Sequence, residues 1–208
     1  MEITWYGLAC FRMTERGTAT IVTDPFDETI GLKVPRLKSD ILTSSHTAPG
    51  HANLSMAKGA RVLTGPGEYE IGGVFITGVA TPSKTRSNTI FVFEVEGLTV
   101  AHLGDLDHVP SQSRIEALGT VDVLLVPVGG GSALHASNAA EVINLIEPSI
   151  VIPMHYKTDD LNLKLEPLSK FLKEMGITNP TVVDSFKVTK SSLPEETQTI
   201  ILSQKEAA

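Results

Sequence analysis

Three histidines and an aspartate stand where chemistry is most easily built. His46 and His51 lie in Thr43-Ser44-Ser45-His46-Thr47-Ala48-Pro49-Gly50-His51, directly after the apolar stretch Ile41-Leu42. Asp105 follows the run Leu98 to Gly104, and His155 follows Ile150-Val151-Ile152-Pro153-Met154. Neutral imidazoles together with a carboxylate suit Zn²⁺, Fe or Mn²⁺. An ion of that kind lowers the pKa of bound water to ~7 and makes hydroxide available for hydrolysis. His108, in Asp105-Leu106-Asp107-His108, is a candidate acid or base beside them. From spacing alone, each of these residues is better read as a solvated or hydrogen-bonded strand-end residue. No two of them form a tight ligand motif of the two-histidine helix kind. His108 serves equally well as a capping or surface residue ahead of Pro110.

The elements that must position them are mostly strands. Met1 to Tyr6 and the β-branched run Thr18 to Thr23 read as a hairpin-like pair turning at Glu15-Arg16-Gly17. Residues 27–38 read as an irregular loop and Asp40 to Ser44 as a strand. A short helix at Asn53 to Lys58 and a strand at Arg61 to Thr64 come next. Gly65 to Gly73 is rich in turn formers, and Val74 to Val79 is a strand. Thr89 to Glu94 and Leu98 to His102 flank Val95-Glu96-Gly97, a hairpin signal. In the second half the pattern predicts helices over 111–119, 137–146 and 165–175. Strands are predicted over 121–128, 149–154, 181–188 and 197–202. Strand groups with helices inserted late suggest two sheets packed face to face with helices outside. If the strands ahead of the polar residues share a direction, their C-terminal ends converge on one cleft.

Composition sets the wider bounds. At 208 residues, 41% hydrophobic and 20% charged, the chain reads as one globular domain over residues 1–208. The apolar runs are too short to span a membrane, and Met1-Glu2-Ile3-Thr4-Trp5 lacks the basic start of a signal. A single cysteine, Cys10, permits no internal disulfide and points to the reducing cytoplasm. The formal net charge of −7 disfavours nucleic acid and anionic membranes as partners. A small-molecule ligand or substrate, with an anionic one admitted, is the expected partner, and a homo-oligomer remains open.

Several motifs, in order, resemble the metallo-β-lactamase superfamily, and most closely its small zinc-dependent hydrolase group near the ascorbate-lactonase branch. Thr4-Trp5-Tyr6-Gly7-Leu8-Ala9-Cys10-Phe11 resembles the N-terminal W-x-G-H-A-x-F pattern, and Asp24-Pro25-Phe26 the D-P strand end. Gly67 to Gly73 resembles the group's central motif. His102-Leu103-Gly104-Asp105 resembles the motif whose aspartate bridges two metals, and Ile152-Pro153-Met154-His155-Tyr156 the last ligand motif. The resemblance covers residues 1 to about 160. It implies an α+β fold, the four-layer αββα sandwich, and metal-dependent hydrolysis.

This sequence departs from the family pattern at defined positions. Laid on H-x-H-x-D-H, it offers His46 and His51 but Ala48 and Gly50 for the second histidine and the aspartate. Leu8 stands where the N-terminal histidine would be, and Thr81 to Thr85 contains no histidine. The resemblance therefore implies that His51, Asp105 and His155 hold one Zn (or Mn or Fe), with His46 nearby, or that no metal is held. The expectation is a hydrolase-like protein with an incomplete dinuclear site, weakly active or non-catalytic. The alternative is a mononuclear hydrolase of a small ester, lactone or phosphodiester, with Asp105 and His108 as its reacting-site residues. Lys84 either brings a positive charge to the vacated pocket or is an exposed loop residue. Gly129-Gly130-Gly131-Ser132 resembles a phosphate-cradling turn without the Gly-Lys-Ser/Thr ending, and the family makes it a cleft-lining loop with His135 at its rim. Cys10 reads as a buried structural thiol, and Tyr156 as either a donor to substrate or a packing residue.

Overall fold

The computed structural model describes residues 1–48, 51–82 and 86–206, apart from the side chain of Met56. Gly50 and Lys84, both singled out above, lie outside the described residues. The chain opens with β1 (Glu2–Gly7), β2 (Cys10–Thr14), β3 (Ile21–Thr23), β4 (Ile41–Thr43) and β5 (Arg61–Leu63). It continues with β6 (Gly67–Ile71), β7 (Val74–Pro82), β8 (Ser87–Val95) and β9 (Leu98–His102). The second half interleaves α1 (Gln112–Glu116), β10 (Val123–Pro127), α2 (Ala136–Ile146), β11 (Ile150–Met154) and α3 (Leu168–Glu174). It closes with β12 (Thr181–Val183), β13 (Phe186–Lys187) and β14 (Gln198–Leu202).

These strands make two mixed sheets, ordered β13-β1-β2-β3-β4-β5 and β12-β14-β11-β10-β9-β8-β7-β6. The expected two-sheet α+β sandwich is what the chain forms. Residues from both sheets, among them Trp5, Phe11, Phe91, Phe93 and Ile152, share one buried apolar cluster. β10 and β11 are buried along their whole length, which explains why Val123 to Pro127 and Ile150 to Met154 read as unbroken apolar runs rather than alternating ones. α2 turns Ala139, Val142 and Ile143 inward, and it packs against β10 and α3. It ends at Glu147, in a left-handed conformation just before Pro148. Over the six-stranded sheet the cover is thinner. There Tyr6, Leu8, Cys10 and Val22 pack against Phe26, Ile30, Leu32 and Leu161, with a 3-10 turn at Glu28–Ile30.

Three local expectations need correction. β1 does not pair with the strand near residue 21; β2 lies between them, antiparallel to both. The turn-rich stretch after Gly65 contains β6, whose Glu68 and Glu70 face outward while Tyr69 and Ile71 pack on the core. The helix expected at Asn53 is a 3-10 turn, Leu54–Met56, capped by the Asn53 side chain. Among the described residues, no helix is long and apolar enough to cross a membrane.

The directions of the strands decide where the site falls. β3, β4 and β5 are mutually parallel, as are β9, β10 and β11. Asp105 and His155 follow strands of one sheet that run alike, whereas His46 and His51 follow β4 of the other sheet.

Candidate metal centre

The loop after β4 is fixed by a buried carboxylate. Asp24, at the end of β3, is 3% exposed, and its Oδ1 accepts from the Ser45 amide at 2.7 Å. Its Oδ2 accepts from the Ser45 hydroxyl. The Ser44 hydroxyl donates to the His46 carbonyl at 2.7 Å, and the Thr89 amide of β8 donates to the Ser45 carbonyl at 2.9 Å. A charge taken out of water needs partners of this kind. The result is a rigid turn that carries His46 across the gap between the sheets.

Asp105 is set by a second staple. Its amide donates to Asn88 Oδ1 at 3.0 Å, while Asn88 Nδ2 donates to the Leu103 carbonyl and to Thr81 Oγ1. Gly104 permits this turn because its φ of +60° is left-handed and because a Cβ there would sit 2.5 Å from Asn88 Oδ1. His155 is held by its backbone: its amide donates to the Leu8 carbonyl at 2.9 Å, and its carbonyl accepts from Gly129 at 3.0 Å. His155 itself adopts φ +54°, a conformation that costs a non-glycine residue about 1 kcal/mol or more. Leu8, also left-handed, accepts at the same carbonyl from the Trp5 indole at 3.1 Å.

Between these supports the four predicted residues meet. The ring centres of His46 and His51 are 5.3 Å apart, and those of His51 and His155 are 6.3 Å apart. His46 Nε2 lies 3.3 Å from Asp105 Oδ2, and His155 Nε2 lies 3.1 Å from Asp105 Oδ1. Donor atoms of His46, His51 and Asp105 all fall within 4.8 Å of one another. Burial opposes the charge on Asp105, but the facing His155 and His46 rings outweigh it and hold the carboxyl well below the usual carboxylate range. His51 moves the other way: burial lowers its pKa more than Asp105 raises it, so the ring is neutral and keeps a lone pair to donate.

One pair has an unusual relation. His155 and Asp105 are buried, yet both His155 ring nitrogens and Asp105 Oδ1 have no hydrogen-bond partner among the described residues. The 3.1 Å separation of Nε2 and Oδ1 is close enough for a bond but has the wrong direction for one. Two ligands of one tetrahedral ion, with bonds of about 2.1 Å, stand about 3.4 Å apart and point at the ion rather than at each other. The residues present thus fit a metal, and the atoms left unsatisfied are the ones that would hold it.

Residues that the spacing could not single out complete the wall. Arg86 Nη2 lies 2.6 Å from Asp105 Oδ2, and the Ser132 hydroxyl donates to the same oxygen at 2.7 Å. Both line a cleft of about 440 Å³ together with Asp107, Gly131, Ala133 and His135. A roomier cavity of about 870 Å³, lined by Arg12, Arg36, Lys38 and Lys58, lies elsewhere; neither lining includes His46, His51 or His155, and the smaller cleft joins the cluster through Arg86 and Ser132, which bond Asp105. His135 caps α2 by position only; its Nδ1 faces Glu166 at 3.4 Å. His108 is not brought into the cluster: its Nδ1 sits 2.6 Å from Asp107 Oδ1, and the ring is 42% exposed. His102 is structural, bonded through Nε2 to the Ala9 carbonyl at 2.9 Å. Tyr156 packs on Trp5 with ring centres 5.0 Å apart, and burial raises its hydroxyl pKa, which suits a packing role. Burial and then Asp24 push the Cys10 thiol up as well, so it is a core residue without a reactive thiolate.

Comparison with known proteins agrees with this fold. Residues 2–155 match the model of the beta-lactamase superfamily domain. A UPF0173 metal-dependent hydrolase of Archaeoglobus fulgidus is 26% identical over 222 residues, covering 88% of this chain and 95% of the relative. A UPF0173 protein of Pyrococcus furiosus is 29% identical over 180 residues, covering 76% and 84%. A crystal structure from Thermotoga maritima, named as a candidate Zn-dependent hydrolase of the metallo-β-lactamase superfamily, superposes with a TM-score of 0.80 at 39% identity, over 97% of both chains. With the fold, the placement of the four ligand-type residues and these matches in agreement, the chain belongs to the metallo-β-lactamase superfamily.

Proposed function

We propose that the protein is a hydrolase that works with one metal ion held by His51, Asp105 and His155. The observation that carries this reading is the buried pair Asp105 Oδ1 and His155 Nε2, 3.1 Å apart and each without a hydrogen-bond partner among the described residues. Leaving such atoms bare costs about 1–3 kcal/mol each, and an ion is what their convergence suits. When bound, a Zn²⁺-class ion supplies a water acidic enough to give hydroxide near neutral pH. The chain's own residues do the rest. His51 and His155 offer lone pairs, and Asp105 stays ionised to supply the negative charge. Arg86 and Ser132 fix the far oxygen of that carboxylate, so its near oxygen keeps one direction. The cleft of about 440 Å³ beside Arg86 and Ser132 has room for a small ester, lactone or phosphodiester, the classes that the family resemblance implies.

A second reading, a member that retains the cleft but no hydrolytic activity, draws support from Ala48. Its amide meets His46 at 3.1 Å, but its side chain offers no ligand. Elemental analysis of untagged protein after supplementation with zinc, manganese and iron separates the outcomes. Hydrolysis assays on p-nitrophenyl esters and bis-p-nitrophenyl phosphate accompany it. About one equivalent of metal together with metal-dependent turnover supports the first reading. Metal without turnover on any substrate favours the second, and less than about a tenth of an equivalent refutes the metal site.

A further inference from the structure

The two oxygens of Asp105 live in different surroundings, although the carboxylate is only 2% exposed. Oδ2 faces three donors: Arg86 Nη2 at 2.6 Å, Ser132 Oγ at 2.7 Å and His46 Nε2 at 3.3 Å. Oδ1 accepts no hydrogen bond from any described residue. The tautomer of His46 follows from its other nitrogen, because Nδ1 accepts from the Ala48 amide at 3.1 Å. A neutral ring that accepts at Nδ1 carries its proton on Nε2, the atom that faces Asp105. His46 thus turns a proton-bearing nitrogen, not a lone pair, toward Asp105 Oδ2, 3.3 Å away and short of a hydrogen bond.

A carboxylate that bridges two ions with one oxygen on each needs a free lone pair on both oxygens. Here Oδ2 is saturated, and the ring beside it presents a proton. A buried carboxylate must still have its charge balanced on that side. Resting on the one-ion reading above, we propose that Arg86 takes the place of a second metal ion. Its guanidinium neutralises the Oδ2 side of Asp105, so the site accepts a single ion on Oδ1 and the fold keeps its shape when that ion is removed. A fixed side chain thus does what a dissociable ion would otherwise do. Arg86 is a positioning residue in this scheme, acting through Asp105.

The test compares wild type, Arg86→Ala and Arg86→Lys, untagged, by calorimetric titration with Zn²⁺ and by thermal melts in EDTA. Wild type should saturate at about one equivalent and, in EDTA, stay folded with a single cooperative melt below that of its zinc form. Arg86→Ala should melt about 6 °C or more lower in EDTA, regain that loss with zinc, and bind zinc about tenfold tighter because the competing charge is gone. Arg86→Lys, which keeps the charge, should retain most of the metal-free stability. Wild type taking two equivalents, or Arg86→Ala melting like wild type in EDTA, overturns the inference alone. Wild type taking no ion refutes the proposed function and this inference with it. Should Arg86→Ala fail to fold, the wild-type stoichiometry and Arg86→Lys still decide.

Discussion

Gly104→Ala is the substitution most directly worked out from the structure. Gly104 has φ +60°, and a methyl group there would run onto the Ser45 side chain and lie 2.5 Å from Asn88 Oδ1. Two costs combine. A left-handed conformation costs an L-residue roughly 1–2 kcal/mol. Overpacking against a neighbour that cannot give adds about 1–3 kcal/mol. Ser45 cannot give, because Asp24 holds both its amide and its hydroxyl, and Asn88 is bonded at both ends of its amide. The total, about 2–5 kcal/mol, should lower the melting midpoint by about 4–20 °C for a chain of this size. Gly119→Ala serves as the control, since Gly119 has φ +66° with nothing within 4 Å of the added atom. It carries the conformational cost without the clash and should lose only about 1–2 kcal/mol. Circular dichroism melts of the two variants, with zinc titrations alongside, measure the difference. Gly104→Ala should also weaken zinc binding, because the Asp105 amide loses its register on Asn88. Equal midpoints for the two variants would refute the claim that Gly104 locks the two loops together.

Two further outcomes follow from the charges. His51 has its pKa lowered in the folded state, so the unfolded chain takes up that proton first. Metal-free protein should therefore lose stability as pH falls below about 6.5. Asp105 acts in the same sense at lower pH: its contribution is present above about pH 3.9 and is lost as pH falls toward its depressed folded value. Denaturation in urea at pH 7.5 and 5.5 checks the first window, and a flat or rising stability on acidification would contradict it. Cys10 should react with a thiol reagent such as Ellman's reagent only after unfolding, since it is buried with its pKa raised. Rapid labelling of native protein would show that the core over the first sheet opens.

Much of the site was legible because its ligand-type residues leave apolar strands, two after β4 of one sheet and two after β9 and β11 of the other. His46, His51, Asp105 and His155 needed only that rule and the family resemblance. Arg86, Ser132 and Asn88 did not show themselves: they are ordinary loop or strand-end polar residues, and only the tertiary fold carries them to Asp105. β2 was missed for a local reason. The chain reverses at Gly7-Leu8, and a leucine in a left-handed turn gives no turn signal of the Asn, Asp or Gly kind. β6 was hidden because its Glu-Tyr-Glu alternation is short and bracketed by glycines. The expected role of His108 rested on nearness in sequence to Asp105, but its side chain sits on Asp107 instead.

The carbonyl of Leu8 deserves a last look for what it says about time. It holds both the Trp5 indole, in the first strand, and the amide of His155, near the end of the family-matched stretch. Closing that contact means bringing together two segments with most of the chain between them, which is slow because loop closure precedes any gain. A nascent or partly folded chain holding His46, His51 and even Asp105 therefore lacks the last ligand's orientation. On the proposed one-ion reading, metal affinity would therefore report completion of the whole fold.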